Sequence, residues 1–519
     1  MIDTAALREK VLDLAIRGKL VPQDTNDEPA SVLLERIHEQ KLQMVREGKL
    51  KVKDVKDDTI IFKGDDNCYY EKYSDGSVKN IQDEIPFDLP AGWAWSRLKC
   101  ICPYGECDNV ECCEIKNDDW ILDLEDIEKD SGKILVFAKK SDKNSVSTKH
   151  KFYQGQLLYS KLRPYLNKVV IAPQAGYCTS EILPLIFWGS IDVHYMQMYL
   201  MSNVFLSYTD KISYGVKMPR LGTADGKQAL IALPPNNEQK LIAKTFQSVL
   251  PSLETIKTEQ CALEDIINLL KSKILELAIQ GKLVPQDEND EPASVLLERI
   301  RAERKEKLGK KYVESYIYKG DDNCYYEKIG SETKNITDEI PFDIPDSWCF
   351  IRLKELIKII SGVSYDKRDI CYDGIRILRG GNIGELTIQL QQDDVFLPHK
   401  YFDEEKQIKN GDIIIVASTG SKIAIGRAGF VEKDYPNTQI GAFLRIIRPI
   451  NIDFTDYLKC LFSTDYYREH IRESVHGNTI NNVKSEYLEN FIIPLPPVAE
   501  QKRVIQQTKR ILALLKDGV

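Results

Sequence analysis

Gly18-Lys19-Leu20-Val21-Pro22-Gln23-Asp24 returns as Gly281-Lys282-Leu283-Val284-Pro285-Gln286-Asp287, and Val32-Leu33-Leu34-Glu35-Arg36-Ile37 returns at 295–300, at one offset of 263 residues (281 − 18). The far end of the unit repeats too. Leu233-Pro234-Pro235 followed by Glu238-Gln239-Lys240 matches Leu495-Pro496-Pro497 followed by Glu500-Gln501-Lys502, an offset of 262 (495 − 233). Projected onto the central copy, Val519 falls at 257 and Met1 at 264. The order is circular: two large units in a pseudo-twofold ring, cut inside a helix. Between the matching ends, residues 90–236 and 345–496 barely resemble each other. One repeated scaffold is expected to carry two different inserts.

The joining helix is legible in its spacing. Ile242, Phe246, Val249, Leu253, Ile256, Gln260, Leu263, Ile267, Leu270, Ile274 and Leu277 alternate steps of four and three, the signature of a left-handed coiled coil in which Gln260 fixes register. Pro251 is expected to kink or restart it. Leu7, Val11 and Leu14 match Leu270, Ile274 and Leu277, while Val504, Ile511 and Leu515 match Ile242, Val249 and Leu253. The N- and C-terminal helices should therefore pair antiparallel with the central one. A coil of about 40 residues would span roughly 60 Å.

Composition is that of an ordinary globular chain, 43% hydrophobic and 29% charged over 519 residues, with net charge −8. The start lacks the pattern of a signal segment, and no apolar run is long enough to span a membrane, so the expected location is the cytoplasm, with no membrane partner. Cys100, Cys102, Cys107, Cys112 and Cys113 crowd together without zinc-knuckle spacing or a counterpart in the second copy, and read as free thiols; no metal site is expected. Charge is uneven: from Lys133 to Lys168 there are nine basic residues (Lys133, Lys139, Lys140, Lys143, Lys149, Lys151, Lys161, Arg163, Lys168) and one acid, Asp142. Such a stretch in an acidic chain suggests a side that faces a polyanion.

Lys63-Gly64-Asp65-Asp66-Asn67-Cys68-Tyr69-Tyr70-Glu71-Lys72 recurs at 319–328 and reads as a turn-rich linker, without the ligand spacing of a calcium loop. Ile85-Pro86-Phe87-Asp88-Leu89-Pro90 with Trp93, and Ile340-Pro341-Phe342-Asp343-Ile344-Pro345 with Trp348, mark the entrances to the inserts. In the first insert Tyr159, Ser160, Lys161, Arg163, Tyr165, Asn167 and Lys168 sit in a strand–loop–strand stretch, Lys149 and Lys151 precede it, and Lys217 and Arg220 lie in a second basic loop. Arg and Lys suit phosphates or guanine edges, Asn suits adenine, and Tyr packs on sugar or base. The second insert offers Arg376, Arg379 and Asn382, then Ser418, Thr419, Ser421 and Lys422, then Gln439, and finally Asn478, Thr479 and Asn481 in polar, Gly-rich loops. No phosphate-binding Gly loop, dinucleotide fingerprint, H-E-x-x-H helix or base-methylating Asn-Pro-Pro-Tyr box occurs, and no catalytic residue is assigned.

These paired motifs resemble the specificity subunit of Type I restriction–modification systems: Leu-Pro-Pro with Glu-Gln-Lys opening a long helix, Gly-Lys-Leu-Val-Pro-Gln-Asp closing it, and Ile-Pro-Phe-Asp-x-Pro with Trp before each variable domain. Leu158 to Lys168, Thr179-Ser180-Glu181 and Met218-Pro219-Arg220 look like one subtype of target-recognition domain; Gly411-Asp412-Ile413 and Gly477-Asn478-Thr479 look like another. The resemblance implies an α+β chain with two α/β target-recognition domains separated by a long antiparallel coiled coil. Its segments would be an N-terminal helix (1–17), a linker (18–89), a first recognition domain (90–236), the central helix (237–281), a second linker (282–344), a second recognition domain (345–496) and a C-terminal helix (497–519). Each domain would read half of a bipartite site on double-stranded DNA while the coil sets the spacer. The chain itself would be a non-catalytic reader in a prokaryotic cytoplasm, holding no cofactor. Two methyltransferase subunits and the restriction subunits would bring S-adenosylmethionine, ATP and Mg. A Type IIB-like specificity subunit and a coiled-coil protein scaffold are the alternatives.

Overall fold

The computed structural model describes residues 1–144, 146–215, 217–309, 312–474 and 481–517. It divides into two compact units, Met1–Cys261 and Ala262–Val519. The helix Asn236–Ile279 runs unbroken through Pro251, so the proline does not restart it. The Thr255 hydroxyl donates to the Pro251 carbonyl at 3.0 Å, one turn on.

In unit 1 the helix Thr4–Ile16 lies along the start of the central helix. Leu12, Ala15 and Ile16 share a core with Ile242, Ala243 and Phe246, while Arg8 feels the charge of Glu254 further along; the chain directions are therefore opposed. In unit 2 the helix Val498–Asp517 does the same for the end of the central helix: Val504 packs on Ala278 and Leu275, and Arg503 pairs with Asp290. Of the expected seam, Ile242, Leu253 and Ile267 are buried, and Val249, Gln260, Ile274 and Leu277 are partly so. Leu263 and Leu270 are exposed, and with Ile266 and Leu269 they leave an apolar stripe uncovered.

Each insert enters and leaves on one antiparallel strand pair. Ala94–Arg97 pairs with Leu230–Leu233 in unit 1, and Cys349–Arg352 with Ile492–Leu495 in unit 2. Between these gates the topologies part. Unit 1 builds a four-stranded sheet in the order Asp108–Val110, Lys149–Phe152, Gly176–Thr179, Ile121–Leu122, and a three-stranded one in which Leu157–Ser160 lies between Ile182–Leu185 and Val169–Ile171. Unit 2 builds a four-stranded sheet in the order Ile357–Ser361, Leu444–Pro449, Ile413–Val416, Ala428–Phe430, and a three-stranded one in which Ile375–Leu378 lies between Val395–Leu397 and Thr438–Ile440.

The repeated motifs are the joints of the frame. Gly18 and Gly281 end their helices at φ +65° and +70°, and a Cβ on either would lie 2.6 Å from Cγ of Pro90 or Pro345; only glycine allows both the turn and that approach. The indole N–H of Trp93 donates to Glu238 at 3.0 Å, and that of Trp348 to Glu500 at 2.8 Å. Gln239 and Gln501 each donate to the carbonyl five residues back, at Pro234 and Pro496, both at 2.9 Å.

The Asp-rich segments are not mere linkers. Ile60–Lys63, Tyr69–Lys72 and Val78–Asn80 form a three-stranded meander, as do Ser315–Lys319, Tyr325–Ile329 and Glu332–Asn335. Asn67 and Asn323 turn the first hairpin of each at φ 63° and 62°, a conformation asparagine tolerates. The alternation of buried Tyr69 and Glu71 with exposed Lys72 is the strand period that the turn residues hid.

Burial raises the carboxyl pKa of Glu238 and of Glu500, against the opposing pull of the tryptophan N–H. A carboxyl whose folded pKa lies above its unfolded value holds its proton more tightly when folded. Stability is therefore greatest below the unfolded pKa and declines as pH climbs through the folded one. Glu238→Gln, which keeps an oxygen for Trp93, should flatten that decline in urea midpoints taken from pH 4.5 to 7.5; an unchanged slope would show that the carboxylate is solvated in solution.

Candidate nucleic-acid interface

In unit 1 the two basic loops expected from sequence meet. Leu162 bridges to Arg220, Tyr214 bridges to Arg220 across its own hairpin, and the Arg163 amide donates to the Pro219 carbonyl at 2.7 Å. Arg163 and Asn167 take left-handed backbone at φ 50° and 51°, and of the three residues between them Pro164 is buried, Leu166 half-buried and Tyr165 exposed. Lys161 and Arg163 are half-buried along this junction, while Tyr165 and Lys217 stand exposed.

Other expected contacts belong to the interior. Tyr159 is 3% exposed and packs edge-on against Phe205 at 5.7 Å. Ser160 is buried and donates to the Leu162 carbonyl at 2.9 Å. Asn167 is buried and donates to the Met201 carbonyl at 3.0 Å, holding the loop base. Lys149 is buried, its ammonium 3.2 Å from the Ser147 hydroxyl. Tyr159, Ser160 and Asn167 thus brace the loop from within, and Lys149 is buried in its own strand. Lys168 donates to the Leu124 carbonyl at 2.6 Å, and burial pulls its pKa down. Arg220 is tied to Glu181 by contacts of 3.0 to 3.2 Å, whose hydrogen bonds raise its pKa. Lys151 lies 5.1 Å from the Tyr153 ring.

The basic stretch from Lys133 to Lys168 is not one free cationic face. Lys143 is held by Asp123, Glu125 and Asp126, Lys139 by Asp118, and Lys133 by Glu254. Acids distant in sequence neutralise them, a pairing that a count along the chain cannot see.

In unit 2 the segment Ser418–Thr419 pairs antiparallel with Asn481–Asn482. Ser418 and Thr419 are half-buried, and Ser421 and Lys422 are exposed. Asn481 enters as the strand partner of Thr419; Asn478 and Thr479 lie outside the described residues. Asn382 and Gln439 are interior. Asn382 donates to the Gln389 carbonyl at 3.0 Å and to Asp394, and accepts from the Arg379 amide at 2.7 Å. Gln439 accepts from the Asp403 amide at 2.8 Å and donates to the Tyr401 carbonyl at 3.0 Å. Arg376 is paired with Asp394, and Arg379 reaches the Asp393 carbonyl at 2.9 Å. The candidate contacts expected from sequence left out Tyr214 and Met218, the latter quoted only within its motif, both exposed on the second loop of unit 1, and Phe443, exposed beside Ser418 in unit 2. Apolar residues on recognition loops carry no signal until exposure is known. Among the described residues the cysteines form no disulfide, and burial pushes the Cys107 thiol up to about 11.

A duplicated frame that presents polar and basic loops from two differently built domains defines a class of two-headed recognition protein. Residues 345–514 match the Type I restriction modification DNA specificity domain, and over nearly its whole length the chain is similar to specificity subunits of Type I restriction enzymes. It is 24% identical to the EcoAI specificity subunit of Escherichia coli over 98% of this chain and 88% of that protein. To the EcoEI specificity subunit of E. coli it is 26% identical, over 96% and 87%. A chain from a solved structure of a Type I restriction–modification system shares the fold, with a TM-score of 0.55 and 18% identity across 83% of this chain and 93% of that one.

Proposed function

We propose that this chain is the DNA-sequence-recognition subunit of a Type I restriction–modification complex. Each variable domain reads one half of an asymmetric, bipartite duplex site, and the helical frame sets the spacer between the halves. The observation that carries this is the junction in unit 1, where loops about fifty residues apart in sequence bring Lys161, Arg163, Tyr165 and Lys217 to one edge over a buried sheet. Cations and an aromatic on loops braced through their backbones suit phosphate positioning and groove contact.

The uncovered stripe of Leu263, Ile266, Leu269 and Leu270 supports docking of two methyltransferase subunits on the frame, since contiguous exposed apolar surface marks an interaction site. The chain reads without catalysing. S-adenosylmethionine, ATP and Mg are the business of the methyltransferase and restriction subunits, and the complex works in the prokaryotic cytoplasm. No helix among the described residues is long and apolar enough to cross a membrane.

Methylome sequencing of cells expressing this chain with its methyltransferase, against the methyltransferase alone, tests the reading. A new two-part adenine-methylated motif with a fixed gap is expected; no new motif from an assembled complex would refute it. Arg163→Ala should weaken duplex binding and lower the slope of log affinity against log salt by about one, the change expected for a lost phosphate contact. An unchanged slope would take Arg163 off the phosphate backbone.

A further inference from the structure

Three segments of unit 2 meet beside the Ser418 loop. The Ala417 and Ser418 amides donate to the Phe443 carbonyl at 2.9 and 3.0 Å, and the Val483 amide donates to the Ala417 carbonyl at 2.7 Å. Residues 418–426, 441–445 and 481–485 contain Lys422, Arg445 and Lys484 and no Asp or Glu, in a chain of net charge −8. Lys422 and Lys484 are exposed. The edge thus carries two exposed cations, with one exposed acid, Glu486, just beyond Lys484.

Out of this cationic edge stand two large apolar side chains, Phe443 at 67% and Ile423 at 80% exposure. Neither rides on a loose loop. The turn that carries Phe443 is pinned: the Gly441 amide donates to Leu378 and the Leu444 amide to Gly441, both at 2.9 Å. Arg445 donates to the Ala442 and Leu444 carbonyls, both at 2.9 Å. At Gly362 a Cβ would lie 2.1 Å from the Gly441 oxygen, so two glycine backbones press together beneath the turn. Arg468 likewise holds the carbonyls of Ile423 and Ile425, at 2.8 and 3.2 Å. A phenyl ring held out by so many backbone contacts loses little freedom on binding, which is how a preorganised contact gains affinity.

A phenyl ring offers nothing to a phosphate. It packs against a thymine methyl or the face of a base. We infer that Phe443 is a specificity-determining side chain of unit 2, making an apolar contact with the bases of the half-site while Lys422 and Lys484 meet the flanking phosphates. The inference rests on the reading of the chain as a duplex-DNA recognition subunit.

The test uses the full chain assembled with its methyltransferase, on the duplex found by methylome sequencing. Phe443→Ala should assemble normally and bind about tenfold more weakly, with the salt slope of the wild type, because no ion is released by an apolar contact. Its methylated motif should become degenerate at a position in one half while the other half stays intact. Lys422→Ala, the comparison, should lower the salt slope by about one and leave the motif alone. Wild-type affinity and motif in Phe443→Ala would overturn the inference, as would failure to assemble, which would place Phe443 in a protein interface. A wild-type complex without any motif would instead overturn the duplex-reading role itself.

Discussion

Replacing Arg352 with methionine should destabilise unit 2 by about 3–5 kcal/mol, the usual cost of stranding one member of a buried ion pair. Arg352 spans three partners: Glu327 at 2.6 Å, Glu339 at 2.9 Å and the Asn490 carbonyl at 2.6 Å. It thereby ties the meander to the strand gate of the insert. Glu327 is 4% exposed. Burial pushes its carboxyl upward in pKa, but the hydrogen bonds and charge of Arg352 win and hold it below the usual range. That contribution is present above the unfolded pKa and fades as pH falls through the folded one. Methionine fills the space and leaves the carboxylate charged in a dry site. Adding Glu327→Gln should recover most of the loss, since removing both charges is far cheaper than removing one. Arg352→Lys should recover little, because a point charge cannot span two carboxylates and a carbonyl. Urea midpoints followed by circular dichroism measure this; a loss below about 1 kcal/mol would show the cluster to be solvated. Arg97 occupies the same position in unit 1, with Glu71, Glu84 and the Gln228 carbonyl.

That duplication explains what could be read in advance. Trp93 and Glu238 lie 145 residues apart, and Trp348 and Glu500 lie 152 apart, yet each pair recurs in matching frames, so repetition disclosed joints that local propensity could not. Glycines 18 and 281 stood out for the same reason, and the proline each one faces gives the physical cause. Pro251 shows the opposite lesson. A rule of helix chemistry called for a kink or restart, and the helix continues through the proline without restarting, as context often allows.

The polar and basic loops of the inserts were legible as segments, whereas the directions of their side chains were not. Residue type says that Asn382, Gln439 and Asn167 can form hydrogen bonds; whether the partner is a base or a carbonyl of the protein's own loop depends on which way the backbone turns them. Each donates its side-chain amide N–H to a carbonyl of the protein itself. Phe443 failed the other way, since a phenylalanine next to Leu444, Ile446 and Ile447 reads as core. Only the turn at residues 441–444 separates it from the buried strand that follows.

Deleting residues 498–519 should unfold unit 2 and leave unit 1 folded. The deletion removes Glu500, on which the Trp348 indole depends, and Gln501, which closes on Pro496. Val504 is lost from its packing against Ala278 and Cys460, along with the pairs from Arg503 to Asp290 and from Lys509 to Asp456. An unpaired buried N–H costs about 1–3 kcal/mol and each buried aliphatic side chain about 1.5–3 kcal/mol. Added to loss of the helix covering Ala278, these approach the 5–15 kcal/mol that typically holds a domain together. Thermal unfolding should show the unit 1 transition at its original temperature and no cooperative transition for unit 2, with protease cutting confined beyond Cys261. Partner assembly should fall with it, because the stripe of Leu263, Ile266, Leu269 and Leu270 would then sit on a helix whose far end has lost its packing. A truncated chain that keeps the second transition and still assembles would show that the C-terminal helix decorates unit 2 rather than completing its core.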